Sequence, residues 1–286
     1  MKPTVIGLSH ESKLVRGISS ALKVSPTIVK AKKYAAGEWT VFTPANVSSH
    51  AIVVGNVWED PVKNFQLFLL LHAVREAGAK TVTLIAPWIA YGRQDRPVHP
   101  GEMSAGRVIA DTILATGVDE IVTLDAHSSR FIKFFRGRLT NLVPTAEIVR
   151  AGRSHRIDAV ASPDRGASER ARSIARKLRR PFIEIGKTRL GPGRVVSRLI
   201  SGDASKKRVL LVDDMADSGA TLFNATAVLR SAGATSVGAY VSHAIDLASL
   251  RKKSSRGGLD FLEAAFDHRA GKLSVPFSFF VKARRR

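Results

Sequence analysis

Strand-length apolar runs alternate with helix-length segments along nearly the whole chain. That alternation is the pattern of an α/β fold, a mostly parallel sheet flanked by helices on both faces. Strands are expected at Thr4–Leu8, Ala51–Gly55, Thr81–Ala86, Glu120–Leu124, Ala159–Ser162, Phe182–Ile185, Val209–Val212 and Ser236–Val241. Helices are expected over Glu11–Leu22, Val62–Ala77, Ala105–Ala115, Ser168–Leu178 and Leu222–Ala232. Gly78, Gly117 and Gly233 stand where helix C-caps belong. Ala77-Gly-Ala-Lys-Thr-Val-Thr-Leu and Ala232-Gly-Ala-Thr-Ser-Val-Gly-Ala both follow a long helix and lead into a strand, and a weaker copy begins at Ala115. Repeated turn chemistry accounts for the match. So do two domains of similar topology, 1–144 and 145–286, with a last strand over about 273–280 that packs on the first.

Composition narrows the setting. The chain has 286 residues, of which 44% are hydrophobic and spread throughout, enough for two domains with sizeable cores. It has no cysteine, which excludes disulfides, thiolate catalysis and cysteine zinc sites. Met1-Lys-Pro-Thr-Val-Ile-Gly enters a strand directly, without the apolar run of a signal peptide, and no apolar run is long enough for a membrane span. A cytoplasmic location and no membrane partner are expected. The formal charge of +21, from 45 basic and 24 acidic residues, favours anionic partners. The basic residues fall in small scattered clusters, and only three Trp and three Tyr are available for stacking, so phosphorylated small molecules fit better than nucleic acid.

The chemistry concentrates in Arg208-Val-Leu-Leu-Val-Asp-Asp-Met-Ala-Asp-Ser-Gly-Ala-Thr221, an apolar strand ending in Asp213 and Asp214, then a loop opening a helix near Leu222. Strand ends of open α/β sheets are where ligands bind. A Gly-containing loop at a helix N-terminus presents N–H groups and a dipole to an anion. The two carboxylates can take sugar hydroxyls or a Mg²⁺-bound water, so the combination points to a phosphorylated sugar. Ala86-Pro-Trp-Ile-Ala-Tyr-Gly-Arg-Gln-Asp-Arg96 leaves a strand with Arg93 and Arg96 as forked donors for phosphate. Leu124-Asp-Ala-His127 puts His127 at another strand end, and Ser162-Pro-Asp-Arg-Gly-Ala167 puts Asp164 at a third. Lys187 and Arg189 lie two residues apart before Leu190-Gly-Pro-Gly193, which reads as a mobile loop. Two cations on a closing loop suit phosphoryl transfer. Taken singly, these segments also read as a basic surface loop, a structural histidine, a Pro-Asp turn and a solvated hairpin.

The 208–221 stretch resembles the ribose-5-phosphate loop of the phosphoribosyltransferase superfamily, and the segments together resemble the ribose-phosphate pyrophosphokinases over nearly the whole chain. The resemblance implies two phosphoribosyltransferase-like domains, ATP on the first and ribose 5-phosphate on the second. It implies ATP contacts at Tyr34, Glu38, Arg93, Gln94 and Asp95, the first two on a loop reaching a neighbouring subunit. Asp125-Ala-His127 matches a metal-binding Asp-x-His; His127 and Asp164 are the implied metal ligands, and His127, Lys187 and Arg189 the implied catalytic groups. Ribose 5-phosphate falls to Asp213, Asp214, Asp217, Ser218, Gly219, Ala220 and Thr221. The implied reaction is Mg²⁺-dependent transfer of the β,γ-diphosphate of ATP to the C1 hydroxyl of ribose 5-phosphate, in a homo-oligomer, dimer or hexamer. The rivals are a phosphoribosyltransferase and a catalytically weak regulatory or nucleic-acid-binding paralogue. Spacing favours the archaeal-type branch. Ala36 replaces a residue expected to read adenine, Arg165 and Ala167 alter the usual acidic turn, and 244–258 is a basic, Ser-rich segment where the chain is shorter than the family.

Overall fold

The computed structural model describes residues 2–191, 194–254 and 256–283, with the side chains of 187–191, 194–196 and 283 outside that description. The chain divides into two compact units, Met1–Leu142 with Pro276–Arg286, and Val143–Val275.

In the first unit the order is β1 (Thr4–Leu8), α1 (Ser12–Leu22), β2 (Pro26–Val29), β3 (Ala31–Lys33), β4 (Trp39–Val41), β5 (His50–Val54), α2 (Pro61–Glu76), β6 (Thr81–Ile85), α3 (Ala105–Ala115), β7 (Glu120–Leu124), α4 (Ser129–Phe134) and β8 (Leu139–Leu142). Six strands form one parallel sheet in the order β2-β1-β5-β6-β7-β8, and β3 and β4 form a separate antiparallel hairpin. The central strands are apolar on both faces because helices cover both, and Ile52, Val53, Leu84 and Ile121 are fully buried. Helix α2 starts cleanly: Asp60 caps the Val62 N–H at 2.9 Å, and Pro61 takes the first helical position, where a missing N–H costs nothing.

The second unit runs α5 (Thr145–Ser154), β9 (Ala159–Ser162), α6 (Ser168–Leu178), β10 (Phe182–Gly191), β11 (Arg194–Ser201), β12 (Arg208–Ala216), α7 (Ala220–Ser231), β13 (Ser236–Ala244), α8 (Leu247–Ser254), β14 (Phe261–Asp267) and β15 (Lys272–Leu273). Its sheet order is β11-β10-β9-β12-β13-β14-β15, parallel except for the outermost pair at each edge. Helix α9 (Ser278–Ala283) closes the chain and belongs with the first unit.

The repeat seen in the sequence has a shared mechanical basis. Arg75 donates to the carbonyls of Lys80 (2.6 Å) and Gly117 (2.7 Å) and pairs with Asp119, whose carboxylate also accepts the Val82 N–H at 2.8 Å. Arg230 donates to the carbonyls of Thr235 (2.7 Å) and Gly258 (3.1 Å) and pairs with Asp260, which accepts the Val237 N–H at 2.8 Å. Each arginine precedes a glycine in the left-handed region, Gly78 at φ +99° and Gly233 at φ +87°. Arg75→Ala and Arg230→Ala should each lower unfolding stability by about 1–3 kcal/mol, because each leaves carbonyls and a carboxylate without their donor. The half-exposed ion pairs themselves add little. Denaturant melts showing less than about 0.5 kcal/mol for either variant would reduce the match to coincidental turns.

Several expectations give way to tertiary pairing. Strand β10 does not stop at Ile185 but continues to Gly191, with Lys187 opposite Ser197 and Arg189 opposite Val195 in an antiparallel hairpin. The segment read as a mobile loop is therefore hairpin backbone through Gly191; Pro192 and Gly193 lie outside the described residues. Residues 244–258, read as a basic replacement, hold the end of β13 and helix α8, whose Leu250 is buried against the core. The last strand over 273–280 is not formed. Pro276 lacks the N–H a ladder needs, the chain turns into α9, and Phe280 is fully buried there. The ring of Phe277 lies against Gly17 of α1, where a Cβ would come within 2.3 Å of it.

Candidate active site

Both Asp213 and Asp214 sit inside β12 rather than after it, because β13 extends alongside and pairs as far as Ala216 with Ala244. The extension buries them to 9% and 8% exposure, and the Asp214 N–H donates to Asp213 Oδ1 at 2.9 Å. Burial pushes the Asp213 carboxyl well above the usual carboxylate range, and the negative charges of Asp214 and then Asp164 push the same way. Asp164 reaches this neighbourhood from the end of β9, which pairs with β12 from Val209 to Leu211. It caps a single 3-10 turn over Arg165–Ala167, its Oδ1 accepting the Gly166 N–H at 3.0 Å. The altered turn still closes, and Ala167 is buried beneath it.

After β12 the chain turns through Asp217 and Ser218 into α7, which begins at Ala220 rather than Leu222. The turn needs Gly219 as its N-cap: φ is +84°, and a Cβ would lie 2.6 Å from the Phe223 ring and 2.9 Å from Leu250. Ser218 Oγ accepts the Ala220 N–H at 3.4 Å, and the exposed first turn of a twelve-residue helix carries the positive end of its dipole. Beside it opens a cavity of about 390 Å³ lined by Ser218, Ala220, Phe223, Lys253, Arg256 and Gly257. Thus the end of α8 supplies Lys253, and the turn after it Arg256 and Gly257, as a wall with two cations at the loop, which the sequence did not signal. Lys187 and Arg189 lie on β10 of this unit, with their side chains outside the described residues.

In the first unit, segment 86–96 is braced along its length. Trp88 and Val57 exchange backbone contact at 2.9 Å (Val57 N–H to Trp88 carbonyl), and the Ala90 N–H returns to the Val57 carbonyl at 2.9 Å. Tyr91 holds a left-handed φ of +66°. The Gln94 carbonyl accepts from Gly106 N (3.0 Å) and Ser104 Oγ (3.0 Å), and a Cβ at Gly106 would be 2.8 Å from the Tyr91 carbonyl, so α3 approaches only through glycine. Arg93, Gln94 and Arg96 are left exposed at the turn. Asp95 Oδ2 accepts from Ser128 Oγ at 2.6 Å, and a Cβ on Gly92 would lie 3.4 Å from His127 Cβ. The segment is thereby joined to the Asp125–His127 strand end, where Asp125 is buried with φ +40° and His127 is exposed. Tyr34 and Glu38 stand at the tip of the separate β3–β4 hairpin, closed by a Tyr34 N–H to Glu38 carbonyl bond at 2.8 Å. Among the described residues no group of three or more His, Cys, Asp or Glu is arranged to hold a metal ion.

Sequence reasoning missed a buried polar cluster below this segment, made by Glu11, Asn56, Trp58 and the Trp88 backbone. Its members are scattered through the first third of the chain with no common motif.

The unit that carries the buried Asp213–Asp214 pair and the glycine-capped start of α7 is of the phosphoribosyltransferase class. The family model described as the phosphoribosyl transferase domain matches residues 145–262, and the N-terminal domain of ribose phosphate pyrophosphokinase matches residues 4–117. The chain belongs to the ribose-phosphate pyrophosphokinase family. It is 32% identical to the ribose-phosphate pyrophosphokinase of Agrobacterium fabrum over 81% of this chain and 76% of that one. It is 31% identical to that of Pyrococcus furiosus over 89% and 88% of the two chains. The crystal structure of phosphoribosylpyrophosphate synthetase from Mycobacterium smegmatis superposes with a TM-score of 0.81 at 26% identity, covering 92% of this chain and 88% of that one. Bacterial and archaeal relatives match almost equally, so these comparisons do not divide the branches.

Proposed function

We propose that this chain makes phosphoribosyl pyrophosphate and AMP from ATP and ribose 5-phosphate. The observation that carries the proposal is the buried Asp213–Asp214 pair running directly into the glycine-capped start of α7, in a chain of this family. The carboxylates accept the ribose hydroxyls. The loop from Asp217 to Thr221 takes the 5-phosphate on its N–H groups, with Lys253 and Arg256 adding positive charge alongside. Arg93, Gln94 and Asp95 hold the triphosphate, with Tyr34 and Glu38 of a neighbouring copy completing that site in a homo-oligomer. The C1 hydroxyl attacks the β-phosphorus in line, and Lys187 and Arg189 neutralise charge as it develops.

The residues present fit Mg²⁺. Burial raises the Asp213 carboxyl and the negative charges of Asp214 and Asp164 raise it further, so this unit gathers negative charge and offers hard oxygen donors there. Asp164 of the second unit and His127 of the first are the residues that would offer ligands to the ion, and it would supply counter-charge for the phosphates. The deciding experiment is AMP release from ATP with and without ribose 5-phosphate. Release that depends on ribose 5-phosphate supports the reading, and its absence refutes it in favour of a transferase or a non-catalytic paralogue.

Two further outcomes are expected. GTP or CTP should support measurable turnover, because Ala36 at the exposed hairpin tip offers no side-chain donor or acceptor to a base. Strict use of ATP would assign base reading to another group. The archaeal-type branch assignment predicts that ADP competes with ATP and does nothing more; sigmoidal ADP inhibition persisting at saturating ATP would overturn it.

A further inference from the structure

We propose that Glu11 is a positioning residue for the triphosphate-binding segment 86–96, acting by setting the amide orientation of Asn56. The inference rests on the reading of that segment given above. Glu11 follows β1 in a short 3-10 turn and is 7% exposed; Asn56 follows β5 and is 3% exposed. Glu11 Oε1 accepts Trp58 Nε1 at 2.6 Å and the Asn56 N–H at 3.2 Å, and the carboxylate accepts Asn56 Nδ2 at 3.3 Å and 3.1 Å. An ionised carboxylate only accepts, so Asn56 must turn its NH₂ toward it. The amide oxygen then points the other way and accepts the Trp88 N–H at 2.8 Å. That bond anchors the first residues of the segment, and the two backbone bonds between Val57 and residues 88 and 90 continue the hook. With Gln94 held from α3, the stretch carrying Arg93 is clamped at both ends.

The orientation is not interchangeable. With glutamine at position 11, one of its two groups becomes a donor. In the Oε2 place that NH₂ faces the Asn56 NH₂, unless Asn56 flips and presents its NH₂ to the Trp88 N–H; in the Oε1 place it faces Trp58 Nε1–H and the Asn56 backbone N–H. In every arrangement buried donors face each other, and the anchor of segment 86–96 loosens. Burial pushes the Glu11 carboxyl above the usual range, while the bonds from Trp58 and Asn56 pull it back.

Steady-state kinetics of the full chain test this. Glu11→Gln should raise KM for ATP about 5–10-fold, the size of one lost hydrogen bond, and leave KM for ribose 5-phosphate within about twofold. Asn56→Ala should do the same, and the double variant should be no worse than Asn56→Ala alone, because both act through one amide. Arg75→Ala, destabilised in the same unit, controls for general loss of stability and should leave KM for ATP unchanged. Equal rises in both KM values, or additive effects in the double variant, would overturn the proposal. Arg93→Ala separates the two readings. If it raises KM for ATP and Glu11→Gln does not, the positioning role alone fails. If neither does, the nucleotide reading of the segment fails and takes the positioning role with it.

Discussion

Replacing Lys187 or Arg189 by alanine should lower kcat at least about 10²-fold and move KM little, the loss expected for one donor that binds best in the transition state. In transfer of a diphosphoryl group the nucleophile and leaving group supply the bonds, and the enzyme supplies position and counter-charge. Cations engaged only as the β-phosphorus is attacked contribute to turnover and not to ground-state affinity. Their backbones belong to β10 and pair with β11, so the pair rides on a hairpin rather than a slack loop. Single-turnover measurement of AMP formation isolates the chemical step. Unchanged kcat in both variants would remove them from the chemistry, and a rise confined to KM would make them substrate-binding groups.

Asp213→Asn should abolish most activity and at the same time raise the melting temperature in the absence of ligand and metal. The native carboxyl is buried among acidic neighbours, and its pKa is raised above the unfolded value. A group with a raised folded pKa contributes stability that is fully present below its unfolded pKa and is lost as pH rises through the folded one. The stability advantage of the variant should therefore be small near pH 4 and widen toward neutrality. A gain of about 1 kcal/mol corresponds to about 2–4 °C in Tm for a unit of this size. Activity should fall about 10–10²-fold in kcat/KM, the cost of losing a charged acceptor for a ribose hydroxyl. Paired pH-dependent melts of the two proteins decide the matter, because titrating groups that do not interact with Asp213 cancel in the difference, which then reports Asp213 together with Asp214 and Asp164. A variant less stable than the parent at neutral pH would mean that the carboxylate is stabilised by something other than what surrounds it in the apo chain.

Much of this was legible in the residues because it is local. The apolar run Val209–Val212 announces a buried strand, Gly219 announces a backbone turn, and the periodic spacing of apolar positions announces α1, α3 and α6. What escaped depends on partners far away in sequence. Nothing in Asp213-Asp-Met-Ala216 says that β13 will run beside it and bury two charges. Val195 and Val196 become informative only once β10 is there to pair with β11. Pro276 forbids a ladder, but only the packing of Phe277 and Phe280 selects α9. Glu11 reads as a polar residue opening a helix, and its hydrogen-bond partners stand 45 and 47 positions away.

The contact between Gly219 and Leu250 ties the interchangeable part of this chain to its least interchangeable part. The basic segment looks free to vary, with Arg251, Lys252 and Lys253 all exposed. At Leu250 it is not, since a larger side chain there would press on the turn that shapes the phosphate loop. Divergence of α8 among relatives should then proceed around a conserved inward-facing position, and a drift at that position should surface as altered sugar-phosphate affinity, a substrate phenotype arising outside the motif that binds the substrate.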